Sequence, residues 1–194
     1  MVKIFARNSV GKFQLLFVKR YAVGDELDPE YQVRDISNLI SVFRIAKAVV
    51  DWGFGYDRYK KLQQIFGNDK VVACYYSFNQ RLKKNYDREQ GRWIVNRTQV
   101  MQDYITAVAQ EQITWPGASK AEFPWVFDHH LAEMAEYRKT QSGRSEDLLY
   151  THPEGQPDDA VHAGVYALLA EEIFRETGSG SITFAGYYDD SNAW

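Results

Sequence analysis

Cysteine is almost absent from this chain. Cys74 stands alone among 194 residues, so no internal disulfide can form, and the composition fits a reducing compartment. Long apolar runs are missing too, and nothing approaches the ~20 consecutive residues that a helical membrane span needs. The opening Met1-Val2-Lys3-Ile4-Phe5-Ala6-Arg7 has no apolar core and no small-residue cleavage site, so no secretory leader is expected. Positive charge is not in excess either: 23 Lys and Arg stand against 26 Asp and Glu, a formal net charge of -3. That balance excludes a surface that is basic all over, and any contact with nucleic acid must be local. No glycine-rich loop is followed by Gly-Lys-Ser/Thr, which excludes a nucleoside-triphosphate loop of that type.

What remains is an ordinary globular composition, 45% hydrophobic and 25% charged, in a length suited to one well-buried domain. No internal repeat or domain linker interrupts it. Residues 1–176 are expected to form that domain. The tail over 177–194, which opens Thr-Gly-Ser-Gly-Ser, reads as flexible.

Two strands are expected over 3–6 and 12–21, joined through Asn8-Ser9-Val10-Gly11 as a hairpin. A helix follows, with Asp28 as cap, Pro29 in its first position, and Val33, Ile36, Ile40 and Phe43 at helical spacing. The apolar run 46–51 is a strand ending in Asp51, before a break at Trp52-Gly53-Phe54-Gly55. A helix over 56–66 stops at Gly67, and 71–75 is another buried strand. Such alternation argues for an α/β domain with parallel strands at its centre. Downstream, the pattern predicts a short hairpin turning at 87–91, helices over 98–110 and 125–138, a strand over 147–152, and a final helix over 158–176.

Three groups of residues carry chemistry. In His152-Pro-Glu-Gly-Gln-Pro-Asp158-Asp159-Ala-Val-His162-Ala, two adjacent acids open a helix, where unpaired N–H groups favour negative charge. Asp158 and His162 are four apart and share a helix face. The bland alternative is an N-cap and a first-turn acid. Asp51 ends a buried strand, where open α/β sheets gather ligands, or else it only caps the next helix. Together Asp51, Asp158 and Asp159 could hold two Mg²⁺ or Mn²⁺ ions for phosphodiester cleavage, with His162 as ligand, proton shuttle or surface imidazole. The third group is the basic segment Arg81, Lys83, Lys84, Arg88, Arg92 and Arg97, opposed only by Asp87 and Glu89. It suits phosphate contact, or a charged edge strand protected against aggregation.

Other constellations read as structural. Asp128-His129-His130 with Glu133 places His129 and Glu133 at helical spacing, as in a metal site, but lacks the glutamate between spaced histidines of a zinc protease and is expected on a solvated helix face. Cys74, inside an apolar strand, is expected to be packed rather than nucleophilic. Trp93, Trp115 and Trp125 read as core and edge packing.

The hairpin, Val49-Val50-Asp51-Trp52-Gly53-Phe54-Gly55, the basic hairpin and the 152–163 motif resemble, over residues 10–174, the C-terminal nuclease domain of the large terminase subunit of tailed bacteriophages. The resemblance implies a ribonuclease H-like mixed sheet flanked by helices, with an added basic β-hairpin. It implies a metal-dependent endonuclease that cuts concatemeric viral DNA during genome packaging. Asp51, Asp158 and Asp159 match the family's metal-binding acids, and the segment around Lys83 to Trp93 matches its DNA-approaching hairpin. Implied partners are double-stranded DNA, a packaging ATPase domain, a portal and a small terminase subunit, in the cytoplasm of an infected or lysogenic bacterium. The family's first acid sits on a strand ahead of the first hairpin, and that strand has no counterpart here. The chain is therefore read as a trimmed form, half of a split gene, or a fragment. A catalytically silent DNA-clamping or docking module, or a related resolvase-type nuclease, are the alternatives.

Overall fold

The computed structural model describes residues 1–194 except 54, 79, 118, 140–145, 178–182 and 188–194, and gives the backbone alone for 119, 146, 147 and 183–187. The elements are β1 (Val2–Arg7), β2 (Phe13–Lys19), α1 (Pro29–Val42), β3 (Ile45–Asp51), α2 (Tyr56–Phe66), β4 (Val71–Ser77), β5 (Lys84–Asp87), β6 (Arg92–Asn96) and α3 (Arg97–Ala109). There follow β7 (Ile113–Thr114), α4 (Ser119–Glu122), α5 (Pro124–Ala132), β8 (Met134–Lys139), β9 (Glu146–Thr151), α6 (Asp159–Thr177) and β10 (Thr183–Tyr187). Eight strands form one mixed sheet in the order β5-β6-β4-β3-β10-β1-β2-β7, and β8 and β9 form a separate antiparallel ribbon.

Strand periodicity distributes the core. Within β3, Val49 faces one side while Ala48 and Val50 face the other; in β4, Val72 and Cys74 oppose Val71 and Ala73. Successive side chains of a strand point to opposite faces, so apolar runs buried on both sides mark the central strands of a sandwiched sheet. One face is covered by α1 and α2 through Val33, Ile36, Ile40, Tyr59 and Leu62. The other is covered by α3 and α6 through Val100, Met101, Tyr104, Val165 and Tyr166. Helix α6 is buried along most of its length, as a helix with apolar residues on all sides must be. Cys74 is fully buried, and burial pushes its thiol well above the ordinary range. Among the described residues no helix is long and apolar enough to cross a membrane.

The first half follows the expected order closely. Asp28 caps α1 by accepting from the Tyr31 amide, and α2 spans the expected 56–66. Two elements depart from expectation. The helix expected over 125–138 ends at Ala132, and 134–139 turns into β8, paired with β9 away from the main sheet. The tail, expected to be flexible from 177, contributes β10 at the centre of the sheet, antiparallel to β1 and parallel to β3. Consecutive strands tend to pair, so a strand preceding the β1–β2 hairpin would lie beside β1 opposite β2. In this structure β10 fills that slot.

Candidate metal centre

Parallel strands β10, β3, β4 and β6 direct their carboxyl ends to one end of the sheet, and the first half of α6, packed on one face, reaches those ends through Tyr166 and His162. Tyr76 near the end of β4 and Asp51 at the end of β3 both reach α6. The hydroxyl of Tyr166 donates to Asp51 Oδ1 at 3.0 Å, and Tyr76 and His162 are hydrogen-bonded through the Tyr76 hydroxyl and His162 Nδ1 at 3.0 Å.

Asp158 precedes α6 and His162 lies one turn in. The ring Nε2 is 2.8 Å from Asp158 Oδ2, and both side chains are almost fully buried. Glu133 joins them. It closes α5 and leads into β8, while His152 follows the last residue of β9. Because Met134 pairs with Thr151, Glu133 and His152 stand one step beyond the same open end of the β8–β9 ribbon. Glu133, Asp158 and His162 each offer a ligand atom, and these atoms lie within 4.8 Å of one another. His152 Nε2 is 3.4 Å from Asp158 Oδ2, and Arg97 Nη2 is 3.9 Å from both Asp158 Oδ2 and Glu133 Oε1.

The electrostatics separate the two acids. Burial alone would raise Asp158, but the hydrogen bond from His162 and the charges of His162, His152 and Arg97 outweigh it, leaving this carboxyl below its ordinary range. Burial raises Glu133, and the neighbouring Asp158 adds to the effect. Both oxygens of Glu133 and Oδ1 of Asp158 are buried without a hydrogen-bond partner, an arrangement costly for carboxylates unless a cation satisfies them.

The expected site residues therefore fall into two groups. Asp158 and His162 belong to the cluster. Asp51 is linked to it indirectly: Tyr166 holds Asp51 and stacks on Tyr76, ring centroids 5.2 Å apart, and Tyr76 holds His162. Asp159 is half-buried, with a carboxyl raised by burial, and its nearest opposing charges are the N-terminal amino group and Arg20. Glu133 is the member that the sequence reading assigned to a solvated helix face. On the face of α5 expected to be solvated, Asp128 is exposed, but His129 and the Glu133 side chain are buried and His130 is half-buried. His129 Nδ1 accepts from the Ala160 amide at 3.1 Å, and His130 Nε2 meets the Tyr104 hydroxyl at 2.9 Å.

The basic hairpin divides as well. Lys83 pairs with Asp103 and Glu172, both at 2.5 Å, and Lys84 pairs with Glu172 at 3.0 Å and Glu176 at 2.7 Å. Arg92 lies between the rings of Trp52 and Tyr75, its guanidinium carbon 4.8 and 4.5 Å from their centroids. Arg81 and Arg88 are exposed and make no ion pair among the described residues. No family model matches the chain, and no curated protein or solved structure does either.

Proposed function

We propose that this chain is a metal-dependent DNA endonuclease domain of the terminase class, built on a ribonuclease H-like sheet and acting on concatemeric viral DNA during packaging. The observation that carries the reading is the buried Glu133–Asp158–His162 cluster beside the carboxyl ends of the parallel strands. A divalent ion bound there would stabilise charge on a phosphodiester and lower the pKa of water. The donor set fits such an ion, because two carboxylates with unpartnered oxygens and an imidazole converge in a buried setting.

The chain's own groups supply the rest. Asp158, whose carboxyl His162 holds low against the effect of burial, and Glu133, whose carboxyl burial raises, would both meet the ion as carboxylates. Tyr76 orients the His162 ring through Nδ1, and Tyr166 fixes Asp51 at the adjoining strand end. Arg81 and Arg88 are the hairpin cations open to phosphates, while Lys83 and Lys84 brace the hairpin against α3 and α6. In the same reading the partners are double-stranded DNA, a packaging ATPase domain, a portal and a small terminase subunit, in the host cytoplasm.

The test is nicking of supercoiled plasmid with Mn²⁺ by the unaltered chain and by Asp158→Asn, which keeps the side-chain volume. Metal-dependent nicking lost in the variant supports an endonuclease centred on this cluster. DNA and metal binding without nicking by either protein would replace it with a clamping or docking module.

A further inference from the structure

We propose that His152 completes this cluster as a fourth donor, and that the resulting two-carboxylate, two-imidazole site selects a transition-metal ion such as Mn²⁺, Co²⁺ or Zn²⁺ over Mg²⁺. The inference rests on reading the cluster as a metal site, though not on the nuclease reaction itself.

Ring geometry carries the argument. His152 Nδ1 lies 3.2 Å from the Pro153 carbonyl oxygen, which can only accept, so Nδ1 bears the hydrogen. In the neutral ring Nε2 is then a bare lone pair, and it faces Asp158 Oδ2 at 3.4 Å. That pairing is unfavourable unless a proton or a metal ion lies between the two atoms. His162 offers the second nitrogen. Its Nε2 also faces Asp158 Oδ2, and the Tyr76 hydroxyl at Nδ1 can donate or accept. Tyr76 therefore supports either tautomer, including the one that frees Nε2 for a metal, in the manner of outer partners that orient ligating imidazoles.

The carboxylates supply an independent observation. The Glu133 side chain is 1% exposed, with neither oxygen hydrogen-bonded, and Asp158 Oδ1 is in the same state. Arg97 is the resident positive charge, 3.9 Å from each acid, too far for a hydrogen bond to either. Its guanidinium also lies 5.7 Å from the centre of the Phe78 ring. Ligand type then sets the choice of ion. Mg²⁺ prefers an all-oxygen octahedron rich in water, whereas imidazole nitrogens favour first-row transition ions, with affinity rising from Mn²⁺ towards Cu²⁺. Glu133 and His152 flank the same end of the ribbon, and Asp158 and His162 lie at the start of α6, so each element offers two donors.

The experiment is calorimetric titration of the metal-free chain with Mn²⁺ and separately with Mg²⁺, with pulsed electron paramagnetic resonance of the Mn²⁺ form to detect coupled nitrogen. We expect Mn²⁺ to bind at least about tenfold more tightly than Mg²⁺. His152→Ala should weaken Mn²⁺ by roughly 10–100-fold and remove part of the nitrogen coupling, with circular dichroism unchanged. His152 is 28% exposed, so this variant tests the site even if His162→Ala fails to fold. Equal affinities with an oxygen-only signal, an unaltered His152→Ala, or no Mn²⁺ binding by the folded chain would each overturn the proposal. Nicking supported equally by Mg²⁺ with oxygen-only coordination would sink the proposal and leave the nuclease reading standing. Tight, nitrogen-coordinated Mn²⁺ without any cleavage would do the reverse.

Discussion

Gly164 is where α6 can approach α3, and replacing it with alanine should loosen the whole site. An ideal Cβ at this position would lie 2.5 Å from Cε2 of Tyr104, and nearer still to its Cζ and hydroxyl. The ring cannot yield cheaply. Tyr104 is fully buried, its hydroxyl is 2.9 Å from His130 Nε2, and Lys3 Nζ, from β1, lies 3.5 Å from it. Alanine in place of glycine inside a helix favours folding by about 1 kcal/mol. Overpacking a tight core costs about 1–3 kcal/mol, and a ring pinned by two polar partners belongs at or beyond the upper end of that range. The expected net loss is about 2 kcal/mol, and at ~2–4 °C per kcal/mol for a chain of this size Tm should fall by about 4–8 °C. Scanning calorimetry of Gly164→Ala measures this directly. Tyr104→Val removes the obstructing atoms, so the double variant should be more stable than the sum of the two single effects by more than about 1 kcal/mol. A Tm for Gly164→Ala equal to or above that of the unaltered chain would refute the argument. So would additive single effects, which would mean that α6 and α3 relax apart freely.

Two further outcomes follow from the charge arrangement. Burial pushes His129 down to about 4 and His130 down to about 3, so both are neutral in the fold at neutral pH. The unfolded chain takes up these protons below about 6.5, so their contribution to stability is intact above that pH and is lost as pH falls towards 4. Urea midpoints between pH 7 and 4 should therefore drop less steeply in His130→Gln than in the unaltered chain. The difference isolates the imidazole from Glu133 and Asp159, whose raised carboxyls slope the other way. For the hairpin, Arg81→Gln with Arg88→Gln should reduce the salt dependence of DNA affinity by about two in the logarithmic slope, one per phosphate contact. Lys83→Gln with Lys84→Gln should leave that slope nearly unchanged and cost about 1 kcal/mol or less per exposed pair in stability. Equal effects of the two double variants on the slope, read by fluorescence anisotropy, would show that the hairpin ion pairs open on DNA.

The contrast between Asp158 and Glu133 explains how far the sequence could be read. Asp158 and His162 were legible because a helix converts a four-residue spacing into a shared face, whatever the rest of the molecule does. The α1–β3–α2–β4 run was legible for a similar reason: its caps, its helical spacing and its apolar strands are local signals. Glu133 offered helical spacing only to His129, which is not in the cluster. Its place depends on α5 ending at Ala132 and on β8 finding β9 across the intervening residues, and the sequence 125–138 offers helix formers throughout. Pairing of this kind is decided by tertiary context, which overrides intrinsic propensity. The same holds for β10. Thr183–Tyr187 contains strand-forming residues, but its Gly-Ser-rich approach and its position after the last helix gave no reason to set it between β1 and β3. Charge was misleading in the opposite direction. Six cations in 81–97 looked like a nucleic-acid surface, yet Lys83 and Lys84 find their counter-charges about 20 and 90 residues downstream, on α3 and α6. Local sequence therefore pointed to the two members of the candidate cluster that lie one helical turn apart, and the fold added Glu133 beside them. A search for such sites in other chains should accordingly look beyond acids and histidines at helical spacing, to the residues that flank paired strand ends in register.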